Sequence, residues 1–107
     1  ISICDAQVLG RLYGRADYPA MTAGEDAVRG ELWRFELEQM PLVLARLDEI
    51  EGANQPGQPD LYVRKAVAVS DEAGRPIGSA YTYLYATDPE KDGFTRIGET
   101  WPAEPRR

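Results

Sequence analysis

In the segment Leu47-Asp48-Glu49-Ile50-Glu51-Gly52, the last acid stands where a helix does not ordinarily place one. A helix turns by about 100° per residue, so Glu51 lies about 20° from Leu44 and about 40° from Leu47, on the apolar side, while Glu49 points away. Acids are also disfavoured in a last turn, where unpaired carbonyls already carry partial negative charge. A carboxylate held against apolar walls has a raised pKa and can carry protons near neutrality. The pattern leaves two placements open. Either Glu51 faces an apolar site as a general base, or the helix stops a residue early and the side chain swings into solvent.

Composition narrows the other chemistries. The 107 residues include no histidine and a single cysteine, Cys4. That removes Ser-His and Cys-His nucleophile systems, the imidazole ligands usual for zinc, and any internal disulfide. Asp48 and Glu49 are neighbours on a helix, so their side chains diverge, and no third ligand is evident. Neither a metal nor a cofactor is expected. Tyr62 opens the strand that follows the helix and is placed to border a pocket at the helix end, touching Glu51 or a substrate; a sheet tyrosine with a wet hydroxyl is the other reading. Arg64 shares its face and either pairs with an acid or is a surface charge. Tyr81, Tyr83 and Tyr85 alternate on one strand face, a pattern more typical of cross-strand packing than of a binding strip.

The chain carries 12 basic and 18 acidic residues, a formal charge of -6. Such a surface disfavours nucleic acid and anionic lipid, so neither nucleic acid nor a membrane is expected as a partner. No apolar run approaches the ~20 residues of a membrane helix. A hydrophobic share of 43% and a charged share of 28% are those of a globular protein. One domain over residues 1–107 fits this length, and the lone cysteine fits a reducing cytoplasm.

The elements that must position Glu51 can be read from periodicity and breakers. Val8-Leu9-Gly10-Arg11-Leu12-Tyr13 and Val28-Arg29-Gly30-Glu31-Leu32-Trp33 repeat one pattern, Val-x-Gly-x-Leu-aromatic. Each reads as a strand whose glycine admits a close neighbour. Residues 17–24 between them read as a loop. Pro41 starts a helix that ends before Gly52, with Leu44, Leu47 and Val43 on its apolar face. Leu61 to Val69 and Ser79 to Ala86 form a β-hairpin around Asp71-Glu72-Ala73-Gly74, with Leu61, Val63, Val67 and Val69 on one side. From Thr87 on, an irregular tail is expected, pinned at Trp101, with Phe94 and Ile97 nearby. The order predicts an α+β domain with a curved or closed sheet. Ile1-Ser2-Ile3-Cys4 reads like the middle of a chain, so an upstream segment is expected.

Four pieces in this order resemble the gamma-glutamylcyclotransferase-like family: Gly10 to Tyr13, Val28 to Trp33, Leu47 to Gly52, and Tyr62 to Arg64. The resemblance spans about residues 6–86. It implies a small mixed or antiparallel β-barrel flanked by helices, acting without cofactor on a small-molecule gamma-glutamyl substrate to give 5-oxoproline. It further implies that Glu51 takes a proton from the substrate's α-ammonium, so that the amine attacks its own γ-carbonyl. Tyr18-Pro19-Ala20 is similar to a loop that shapes the family's barrel. One piece departs from the pattern. The family's Tyr-Gly-Ser/Thr motif, whose loop amides hold substrate, should precede Ile1, and Tyr13-Gly14-Arg15-Ala16 follows the wrong strand to replace it. The domain is therefore expected to lack its first strand and substrate loop, and the residues here alone to lack activity. A non-catalytic binding or interaction module of the same family is the alternative.

Overall fold

The computed structural model describes residues 2–16 and 18–100. Strand β1, Ser2–Gly14, pairs antiparallel with β2, Pro19–Arg34. A short 3-10 turn, Leu37–Gln39, leads into helix α1, Met40–Glu51. Strands β3, Tyr62–Ser70, and β4, Pro76–Tyr85, form the second hairpin. A second 3-10 turn, Pro89–Asp92, precedes the two-residue strand β5, Thr95–Arg96. The sheet runs β2-β1-β3-β4, with β5 on β1, and every pairing is antiparallel.

The protein is thus of the α+β class, with one α-helix among the described residues and a curled sheet. The hydrogen-bonded path is open, with β2 and β4 at its edges, although these two strands approach each other. The two hairpins meet in register only at Gln7 and Ser70, which explains why the sheet curls without closing as a barrel would.

The paired Val-x-Gly-x-Leu-aromatic segments do lie side by side, with Val8 opposite Val28. The expected loop over residues 17–24 is a correction: Pro19 already begins β2, and Ala20 and Met21 pair with Tyr13 and Leu12. The breakers are absorbed in an irregularity, where pairing jumps from Gly10–Asp26 to Arg11–Thr22 and the residues between bulge out. The two hairpin glycines of the repeat differ in purpose. A Cβ on Gly10 would come within 2.9 Å of the Met21 sulfur, whereas a Cβ on Gly30 would meet nothing within 4 Å. The tight point is in fact Gly24, where a Cβ would stand 2.9 Å from the carbonyl carbon and oxygen of Gly10.

The aromatic core gathers at one end of the sheet. Tyr13, Ala20, Tyr62 and Phe94 are buried there, with Tyr18, Tyr83 and Tyr85 packed around them. Phe94, on the segment expected to be irregular, is the largest fully buried side chain among the described residues. It meets the Tyr85 ring at 5.1 Å and the Tyr18 ring at 5.7 Å. Its segment is tied down by Asp92, whose carboxylate accepts hydrogen bonds from Tyr85 Oη (2.6 Å) and Thr87 Oγ1 (2.9 Å). The anchor expected at Trp101 lies outside the described residues. Leu44, Leu47 and Val43 do share a face of α1, but they line an open cleft of about 720 Å³ between helix and sheet. No described helix is long and apolar enough to cross a membrane.

The bulge makes a direct prediction. Gly24→Ala should cost about 1–3 kcal/mol, because its new methyl meets backbone that cannot turn aside, while Gly30→Ala should stay within about 0.5 kcal/mol of wild type. Urea unfolding of the two variants checks this; equal costs would contradict the account of the bulge.

Candidate functional site

The site is built from the end of α1. Gly52 caps the helix in the left-handed region, at φ 66°, and its N–H turns back to the carbonyls of Asp48 and Glu49. A residue with a Cβ is strained there. The chain then reverses: Ala53 N–H donates to the Asp48 carbonyl (2.8 Å), and Leu61 N–H to the Gly52 carbonyl (2.9 Å). These bonds bring the first residue of β3, Tyr62, beside the last residue of α1, Glu51.

Both line a second cleft of about 540 Å³, whose walls include Leu12, Ala20, Met21, Ile50 and Leu61, together with Tyr18 and Tyr83. Glu51 is half-buried in it. Burial raises the Glu51 pKa above the ordinary glutamate value, because apolar walls solvate the charged form poorly. Glu49, two residues earlier, is exposed and accepts a hydrogen bond from Arg46 (3.0 Å). Of the two placements the sequence left open for Glu51, the helix therefore adopts the inward one.

Tyr62 is buried, so the wet-hydroxyl alternative fails. Its hydroxyl donates to the carbonyl of Pro19 (2.7 Å), and its ring meets Tyr85, its register partner, edge to face at 5.3 Å. Burial first, and then the nearby Glu51 charge, push its pKa upward, so it stays protonated. Tyr18-Pro19-Ala20 contributes more than barrel shape. It supplies one wall of the cleft and the acceptor for Tyr62.

The residue that sequence reasoning missed is Asp48, the only buried residue of α1. Its carboxylate accepts from Tyr83 Oη at 2.5 Å and from Asn54 Nδ2 at 3.1 Å, and pairs with Arg64 Nη1 at 3.2 Å. Burial works to raise its pKa, but these donors outweigh burial and hold it below the ordinary aspartate value. Arg64 is thus an ion-pair partner rather than a surface charge, and the Arg64 guanidinium also sits 5.3 Å from the Tyr81 ring centre. The tyrosine row divides its labour: Tyr81 is exposed, Tyr83 holds Asp48, and Tyr85 packs on Tyr62 and Phe94. A signal was present. Asp48 lies about 40° from Leu44 at helical rotation, on the same face as Glu51 and away from Glu49. Among the described residues, no group of three or more His, Cys, Asp or Glu side chains comes together as metal ligands would.

The family model described as "Gamma-glutamyl cyclotransferase, AIG2-like" matches residues 1–103, and the chain belongs to that family. Membership points to cyclotransferase chemistry in general and to a small gamma-glutamyl molecule as the substrate class. No curated protein and no solved structure matches the chain.

The Asp48 cluster carries a pH signature. A folded-state pKa below the unfolded value stabilises the fold above the ordinary aspartate range, and that contribution is lost as the pH falls through the folded value. Asp48→Asn should therefore lower Tm at pH 7 by at least about 4 °C, about the effect of one lost hydrogen bond in a domain of this size. The gap to wild type should shrink below about pH 3.9. A gap that stayed constant down to pH 2 would show that the carboxylate charge is not what holds the cluster.

Proposed function

We propose that the protein is a cofactor-independent cyclotransferase of the cytoplasm that converts a gamma-glutamyl amine or amino acid to 5-oxoproline and free amine, with Glu51 as general acid and base and Tyr62 bordering the substrate. The observation that carries this reading is the placement of Glu51: a half-buried carboxyl with a raised pKa, in a cleft walled by Tyr62, in a chain of the cyclotransferase family.

The reaction needs little else. Glu51 as carboxylate takes one proton from the substrate's α-ammonium. The freed amine attacks the γ-carbonyl carbon, a ring nitrogen–carbon bond forms, and the bond from that carbon to the leaving nitrogen breaks. Glu51 returns its proton to the leaving nitrogen. Of the three ammonium hydrogens, one stays on the ring nitrogen and two end on the departing amine, which leaves as its ammonium ion. Both reacting groups belong to one molecule, so the protein's tasks are to hold the folded conformer and to move protons. Leu12, Ala20 and Met21 shield the carboxyl from water on one side, and the Tyr62 ring, fixed by Pro19 and Tyr85, supports the position that a substrate would take beside it.

In the intact protein, Glu51→Gln should keep the fold and lower the rate of 5-oxoproline release by about 10²-fold or more, the usual scale of general-base loss. Glu49→Gln should leave it within about twofold. For the wild type, kcat/KM should fall on acidification with a midpoint above the ordinary glutamate value, because a base with a raised pKa is protonated at higher pH. Product assays on a gamma-glutamyl amine and a gamma-glutamyl amino acid, with circular dichroism as the folding check, decide between the readings. Full turnover by Glu51→Gln on whichever substrate the wild type accepts would remove Glu51 from the chemistry. No turnover by the wild type, with a gamma-glutamyl compound nonetheless bound, would favour a binding module.

A further inference from the structure

Glu51 is the last residue of its helix, and helix ends fray unless something ties them. Three residues earlier on the same face, Asp48 is tied by three side chains from outside the helix. Asn54 comes from the loop after α1, Arg64 from β3, and Tyr83 from β4. Arg64 and Tyr83 are direct register partners across the β3–β4 ladder, so the two strands grip one carboxylate from neighbouring positions. Tyr83 also lines the cleft that holds Glu51. One tyrosine thus belongs to both the clamp and the site.

We infer that Asp48 and Tyr83 are positioning residues for Glu51: their hydrogen bond docks the last turn of α1 against the β3–β4 hairpin and so holds the Glu51 carboxyl inside the apolar cleft. The inference rests on the cyclotransferase reading only for its effect on rate; its effect on the Glu51 carboxyl stands apart from any activity. The alternative is that the cluster merely stabilises the fold, in which case the folded molecules of a weakened variant would carry an unaltered Glu51.

The physical argument is one of leverage. Among the described residues Glu51 makes no hydrogen bond to the opposite wall, and its depth in the cleft follows the helix that carries it. That helix meets the sheet across an open cleft along Val43, Leu44 and Leu47, where apolar contact is incomplete. Beside the backbone bond from Leu61 to Gly52, the Asp48 cluster is the side-chain tie between α1 and β3–β4 among the described residues. If the Tyr83 hydroxyl is removed, the tie to β4 is lost, the last turn is held less firmly against the hairpin, and Glu51 meets water more often. The titratable groups that face Glu51 are Tyr18 ahead of β2, Tyr62 on β3 and Tyr83 on β4. The charged groups behind them are Asp48 and Arg64, with Arg15 stacked over Tyr18. Lifting the last turn removes burial, the cause of the raised Glu51 pKa.

The test is a carboxyl carbon NMR titration of Glu51 in wild type, Tyr83→Phe and Asp48→Asn, with Glu51→Gln assigning the resonance. It is joined to kcat and KM for 5-oxoproline release. The expected result is a Glu51 midpoint above the ordinary glutamate value in wild type that moves down toward that value in both variants, each still folded by circular dichroism. The expected rate effect is a fall in kcat of about 10-fold or more, as a misplaced catalytic group brings, with KM within about twofold. The double variant should lose less than the two single losses combined, because Tyr83→Phe removes and Asp48→Asn weakens one shared contact, while Asp48→Asn also ends the pairing with Arg64. A Glu51 midpoint unchanged in both folded variants would overturn the inference, whatever happens to Tm or kcat. Full turnover by Glu51→Gln would instead defeat the catalytic reading, and the titration would still decide whether Asp48 and Tyr83 hold the carboxyl in place.

Discussion

A single carboxylate, that of Asp48, joins the three parts of this protein that meet at its site. It faces inward from α1, accepts from the loop residue Asn54, and is gripped by Arg64 and Tyr83 on the two strands of the second hairpin. An acid taken out of water is costly unless its partners satisfy it, and here two hydrogen bonds and an ion pair do so. The cost is therefore high for any arrangement that separates helix from hairpin. This makes the relative placement of α1, β3 and β4 specific, where the thin apolar contact under the helix would leave it loose.

Against that fixed corner the aromatic core supplies the rest of the site's rigidity. Tyr62, Tyr85, Phe94 and Tyr18 meet edge to face or tilted, the arrangements that ring quadrupoles favour. Arg15 lies over both Phe94 and Tyr18 and donates to the backbone carbonyl of Asp92. The 3-10 turn after β4 is thereby bound to the start of β2. Tyr62 is thus both core and wall: one edge is packed, its hydroxyl is used by Pro19, and its position next to Glu51 is settled before any ligand arrives. Preorganisation of this kind is what a one-carboxylate proton transfer requires, since the acid has to be in place and poorly solvated at the moment of reaction.

Glu51 stands out in the sequence because it breaks two local rules at once, but helical geometry leaves its placement open until the helix is seen to run through it to the Gly52 cap. The strand pairing was legible from the repeated Val-x-Gly-x-Leu-aromatic pattern, and the second hairpin from Asp71 and Gly74, which make its turn. Other features could not be read because they depend on long-range partners. Residues 19–24 look like a loop by composition, yet β1 recruits them as strand by pairing, and Gly24 makes the bulge fit. Alternation puts Tyr62 and Arg64 on one face of β3, but only the cross-strand register shows that this face meets the tyrosines of β4 and Asp48. Asp48 itself was hidden by its neighbour: read with Glu49 it is an unremarkable surface pair, and only its angle to Leu44 separates the two.

Processing of a gamma-glutamyl compound in the cleft between the end of α1 and the start of β3 can be tested with a crystal structure of the intact protein holding 5-oxoproline. The lactam ring is expected in that cleft beside Tyr62, its nitrogen within hydrogen-bond reach of the Glu51 carboxyl, about 2.6–3.2 Å. A lactam seated instead in the larger cleft under Val43, Leu44 and Leu47, with Glu51 untouched, would contradict it.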